Sequence, residues 1–130
     1  MEQERTFWQS LRDAWGGITH SLKTERNMRI HATVATVVFL TAWLVEVSRW
    51  EWVALTFAVS TVMAAELLNT AVETTVDLFM STYHPLARIA KNVAAGAVLL
   101  MAVNALVIGV IIFYPKLMHL FKVLLLNYFN

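Results

Sequence analysis

Polar and apolar positions fall in long blocks along this 130-residue chain. Residues 5–29 are mixed. Phe7, Leu11, Trp15, Ile18 and Leu22 recur at spacings of four, four, three and four, which is one face of a helix. Arg5, Arg12, Asp13 and Lys23 fall largely elsewhere. The pattern predicts an N-terminal amphipathic surface helix lying on a membrane; a helix packed on a soluble partner is the alternative. Gly16-Gly17 is the place where that helix would bend or break.

Three longer apolar runs follow. Residues 30–47 hold only His31 and a few threonines before Glu46. A helix of this length covers about 27 Å, close to a hydrocarbon core. The link from Glu46 to Trp52 sets Glu46, Arg49 and Glu51 beside Trp50 and Trp52, the mix found at a membrane boundary. Residues 52–80 predict a second membrane helix, which acquires acids in its later half. Residues 93–114 predict a third, with Asn104 as its most polar side chain, and Pro115 is expected to stop it. Residues 115–130 are too short to span as a separate helix and read as an interfacial tail. One domain of 1–130 is expected: an all-α integral membrane protein with a surface helix and three transmembrane helices.

Composition supports that picture. Apolar residues make up 58% of the chain and the mean hydropathy is +0.60, more than an ordinary soluble domain of this size can bury. The net charge of +1 offers no strong basic field, so no nucleic-acid partner is expected. The absence of cysteine excludes disulfides, thiolate chemistry and Cys-based metal sites. The first 29 residues carry five Lys/Arg and no early apolar run, so the first apolar segment is expected to be a permanent anchor. With Arg88 and Lys91 in the second loop, seven Lys/Arg lie on one side, against Arg49, Lys116 and Lys122 on the other. The positive-inside rule places the N-terminus and the second loop in the cytoplasm, where ATP is found.

The chemistry concentrates in A-E-L-L-N-T-A-V-E-T-T-V-D, residues 65–77. Glu66, Asn69, Glu73 and Asp77 are spaced three, four and four. They share an arc of about 80° on one helix face and span about 16 Å along it. Each ionised group costs a few kcal/mol in hydrocarbon, so such a stripe requires cations, protons, water or metal. Mg²⁺ carrying ATP phosphates would serve, because it takes carboxylate and phosphate oxygens together. Glu66 is the deepest of the three acids, and its desolvation suits a general base for an alcohol proton. Two other readings of the stripe stay open: polar glue between helices, and an ion or proton pathway.

Y-H-P-L-A-R-I-A-K-N, residues 83–92, looks like a turn and a helix start, since proline fits the first helical position. Lys91 then stands at the cytoplasmic end of the third span, as a phosphate clamp or as an ordinary positive-inside lysine. His84 has a structural alternative too. A-A-G-A at 94–97 permits close helix approach. E-R-N-M-R-I-H at 25–31 places Glu25 at the same membrane face as Glu73 and Asp77, either as a second metal ligand or within a solvated charge cluster. No Walker loop, no G-x-G-x-x-G and no kinase H-R-D motif is present.

Three motifs together carry a resemblance: E-R-N-x-x-x-H at 25–31, A-E-L-L-N-T-A-V-E-T-T-V-D-L at 65–78 and H-P-L-A-R-I-A-K-N-x-A-A-G-A-V at 84–98. Over roughly residues 12–115 the chain resembles the prokaryotic diacylglycerol kinase family, and within it the undecaprenol kinases of Gram-positive bacteria. The resemblance implies a lipid kinase of the bacterial cell membrane: a homotrimer with active sites between neighbouring subunits at the cytoplasmic face. It implies ATP with Mg²⁺ as phosphate donor and a lipid alcohol as acceptor. The expected acceptor is undecaprenol, with diacylglycerol as the alternative; a non-catalytic scaffold or ion carrier is the alternative of another class. Carried over by position, Glu66 looks like the catalytic base, and Glu25 and Glu73 look like metal ligands, with Asn69 and Asp77 in support. Thr82, Tyr83, His84, Lys91 and Asn92 look like the nucleotide site. Asn92 stands where the family usually has Asp; it keeps an acceptor oxygen and loses a charge.

Overall fold

The computed structural model describes residues 5–79 and 84–128. Within them the chain forms four helices and no strand: α1 (Phe7–Thr24), α2 (Arg26–Leu44), α3 (Arg49–Phe79) and α4 (Pro85–Tyr128). α1 opens on a reciprocal cap. The Gln9 amide donates to Thr6 Oγ1, and the Thr6 amide donates to Gln9 Oε1 at 2.9 Å. The helix runs unbroken through Gly16-Gly17. Residues 5–29 are not one helix, however. Glu25 adopts an extended conformation (φ −91°, ψ 124°) and divides α1 from α2. Near this junction Ser21 and Met28 are buried, and Ser21 Oγ lies 3.4 Å from Thr70 Oγ1 of α3.

α2 and α3 meet in a short turn. The Val47 amide donates to Ala42 O and the Glu46 amide to Trp43 O, satisfying two carbonyls at the end of α2. Glu46 takes the left-handed position of this turn, with φ 50°. Ser48 and Glu51 then cap α3 reciprocally, the Ser48 amide donating to Glu51 Oε2 at 2.6 Å. Ala42, Val47, Leu55 and Ile112 form the buried apolar cluster beside the turn, and Phe39 stacks on Trp52.

α4 packs antiparallel along α3. Its first residue is Pro85, as the sequence predicts, and His84 Nδ1 accepts a hydrogen bond from the Leu86 amide. Pro115 does not stop the helix, which continues to Tyr128. Proline costs a mid-helix hydrogen bond, about 3 kcal/mol in water-exposed helices. Here Lys116 pairs with Glu51 at 3.2 Å and ties the next turn to α3. Residues 115–128 are therefore the last turns of α4.

Two helices, α3 and α4, are long and apolar enough to cross a membrane. α2, the first of the three expected spans, is less apolar over its full length, because Arg26, Asn27, Arg29 and His31 occupy its first two turns and its apolar part begins beyond them. The large apolar side chains of α3 and α4 are mostly exposed, among them Phe57, Leu68, Leu100 and Ile111. A surface of this kind needs lipid or neighbouring helices as its solvent.

Candidate active site

The acid stripe occupies the half of α3 remote from the α2–α3 turn. Glu66 and Asn69 are buried there, at 2% and 7% exposure. Glu66 faces α2, where His31 Nε2 lies 3.1 Å from Glu66 Oε1. That approach is close enough for charge pairing, but the carboxylate oxygen receives no aligned hydrogen bond. Asn69 Oδ1 likewise has no donor, while its Nδ2 donates to Glu73 Oε1 at 3.2 Å. Two buried acceptor oxygens thus stand one helical turn apart on one face without an aligned hydrogen bond. An unsatisfied buried acceptor costs about 1–3 kcal/mol, so the pair marks a place for a donor or a cation.

Glu25 stands at the α1–α2 break, half-buried, with its Oε1 accepting from Thr24 Oγ1 at 3.4 Å. The charges of Glu25 and Glu73 both reach Glu66, so the three acids belong to one electrostatic site. Asp77 lies a turn beyond Glu73, and its Oδ1 is 2.5 Å from Lys91 Nζ of α4. Asp77, expected to support a metal site, pairs with the lysine. His84 caps α4, and Asn92 is exposed one residue beyond Lys91. Thr82 and Tyr83 lie outside the described residues.

The arrangement forms a line. Glu66 and His31 are at its enclosed end, Asn69 and Glu73 in the middle with Glu25, and Asp77 with Lys91 at the exposed end. The line covers about 16 Å of α3. His31 was visible in the sequence as the last letter of a motif and as a polar residue in the first apolar run, and no single-helix periodicity brings residue 31 to residue 66. Beside His31 opens a groove of about 600 Å³ between α2, α3 and α4. Its walls are apolar, including Val34, Val38, Val59, Leu106 and Phe113.

Among the described residues no three His, Asp or Glu side chains converge as a preformed metal cage. The donors present still fit Mg²⁺: they are hard oxygens, two of them carboxylates and one the orphaned Asn69 Oδ1. Mg²⁺ usually takes one or two carboxylates and completes its shell with phosphates and water.

Comparison with known proteins identifies the family. Residues 12–113 match the family described as prokaryotic diacylglycerol kinase. An undecaprenol kinase of Bacillus subtilis (strain 168) is 45% identical over 111 residues, covering 85% of this chain and 90% of that protein. A diacylglycerol kinase of Synechocystis is 42% identical over 112 residues, covering 85% and 64%. The diacylglycerol kinase of Escherichia coli K12 is 33% identical over 100 residues, covering 77% and 76%. The chain therefore belongs to the prokaryotic diacylglycerol kinase family and is an integral membrane lipid kinase.

Proposed function

We propose that the protein transfers the γ-phosphoryl group of ATP to the hydroxyl of undecaprenol, giving undecaprenyl phosphate and ADP. The observation that carries this reading is the orphaned pair Glu66 Oε1 and Asn69 Oδ1 at the head of an apolar groove. The acceptor hydroxyl donates to Glu66, which takes its proton as oxygen attacks the γ-phosphorus. The chain next to the hydroxyl lies in the groove beside His31, and the rest of a long isoprenoid continues into the bilayer. The triphosphate runs outward along the line of α3 towards Lys91, which offsets negative charge. Glu25 and Glu73, with Asn69 Oδ1 between the stripe's acids, are the residues to hold Mg²⁺. When bound, the ion supplies charge neutralisation of the phosphates.

The remaining features belong to the same reading. α2 crosses the membrane with α3 and α4, α1 lies on the cytoplasmic surface, and the N-terminus is cytoplasmic. Seven of the ten Lys/Arg fall on that side, which supports the orientation. Three copies assemble, so that the exposed apolar flanks of α3 and α4 meet one another as well as lipid. Asn92, Thr82 and Tyr83 contact nucleotide in this arrangement.

The choice of undecaprenol is supported by the Bacillus subtilis relative and by a groove whose walls are apolar apart from His31 and Tyr114. Diacylglycerol is the second reading, favoured by the Synechocystis relative. Radiolabelled ATP offered with each alcohol in mixed micelles decides between them. Undecaprenol is expected to be phosphorylated with the higher kcat/KM; a preference for diacylglycerol would overturn the choice.

A further inference from the structure

Glu66 is enclosed by protein, and that creates a difficulty. A base that takes a proton in such a place must lose it again before the next turnover. The groups that face it are few. Across from it on α2 is His31, 3.1 Å away. Glu25, at the α1–α2 break, and Glu73, on α3, act on it as like charges. α1 sends Ser21 to Thr70 rather than to Glu66. α4 contributes Ala102, Ala105 and Leu106 to the adjoining groove, and its one titratable lining residue, Tyr114, stands two turns beyond Leu106. Among the described residues, His31 is thus the group that both touches Glu66 and can accept a proton. Its side chain is 25% exposed, against 2% for Glu66. It stands five residues into α2, just beyond Arg26 and Arg29 at the polar end.

We propose that His31 is the positioning and proton-exit residue of Glu66. Resting on the reading of Glu66 as base, the sequence of transfers balances as follows. The acceptor O–H bond breaks and its proton passes to Glu66. The acceptor oxygen forms a bond to the γ-phosphorus as the bond to the β,γ-bridging oxygen breaks, and ADP leaves with that electron pair. Glu66 then gives the proton to His31 Nε2, and the imidazolium releases one to water at the polar end of α2. The net products are phosphate monoester, ADP and one proton. Between turnovers the imidazole ring, 3.1 Å from Glu66 Oε1, limits the movement of the carboxylate by packing beside it.

The test is kcat against pH for the full-length protein in mixed micelles with undecaprenol. His31→Gln, His31→Ala with and without added imidazole, and Glu66→Gln are measured beside the parent chain. The parent should show an acid limb, a rate that falls as pH drops, because protonated imidazole cannot accept. His31→Gln should lower kcat by about tenfold or more, leave the KM for ATP within about twofold, and displace the limb, which then reports Glu66 without its partner. Imidazole should restore several-fold activity to His31→Ala, a result that guards against misfolding of either variant. A lowered kcat with the acid limb unmoved and no rescue would give His31 a packing role and overturn the relay. So would parental kcat in His31→Gln. If Glu66→Gln is inactive in those cases, the base assignment survives alone; an active Glu66→Gln removes both.

Discussion

Lys91 shows how a residue acquires a role from its partner rather than from its own type. A lysine at the cytoplasmic end of a membrane helix is ordinary by itself. Here Asp77 holds its ammonium at the exposed end of the acid line. In the reading proposed for this site, a phosphate arriving there meets a cation whose position is already set. Lys91→Met should therefore lower kcat/KM for ATP by about 10- to 100-fold, the equivalent of one charge-assisted hydrogen bond. Steady-state kinetics at fixed lipid would show it, and an unchanged value would remove Lys91 from the nucleotide site. The face shared by Glu66, Asn69, Glu73 and Asp77 was legible in the sequence, because helical periodicity alone sets it. The pairs His31–Glu66 and Asp77–Lys91 were not. They join separate helices and depend on the register at which those helices pack.

At the scale of elements, the breaks between helices carry much of the definition. Glu25 interrupts what apolar periodicity reads as one amphipathic helix, and the interruption brings a carboxylate to the site rather than leaving it on a helix surface. Pro115 shows the opposite error, since local chemistry predicts a stop and packing against α3 sustains the helix. The α2–α3 turn combines both lessons. Its hydrogen bonds are those of a helix end normally built on glycine, yet Glu46 occupies the left-handed position. A side chain there costs about 1–2 kcal/mol. Glycine removes that cost and adds freedom to the unfolded chain, so Glu46→Gly should be stabilising by a net of about 0.5–1 kcal/mol. The thermal midpoint of the detergent-solubilised protein should rise with activity unchanged. A fall would mean that the Glu46 side chain contributes more than its backbone costs. Ser48→Ala at the adjoining cap should do the reverse, costing about 1 kcal/mol through loss of the bond to the Glu51 amide.

The whole molecule is framed by two ion pairs between α3 and α4: Asp77–Lys91 at the site end and Glu51–Lys116 at the turn end. About 25 residues separate them on each helix, or roughly 38 Å. That distance exceeds the hydrocarbon core of about 30 Å and fits within a bilayer including its headgroup regions, about 40–45 Å. Charges at this spacing settle at opposite interfaces, where neither end has to be drawn into lipid. The part of α4 beyond Lys116 then lies outside the frame, and its leucines are expected to remain among headgroups and upper acyl chains. The orientation we propose rests on the uneven distribution of Lys/Arg. Because the chain has no cysteine, single replacements can report it without background. Arg12→Cys and Arg88→Cys should be protected from an impermeant maleimide added to intact cells and labelled after permeabilisation. Arg49→Cys should be labelled from outside. Labelling of Arg12→Cys and Arg88→Cys from outside would place the acid line on the face without ATP, and the phosphoryl donor would have no route to Glu66. Labelling of Arg49→Cys only after permeabilisation, together with the other two, would show instead that α2 and α3 turn back without crossing.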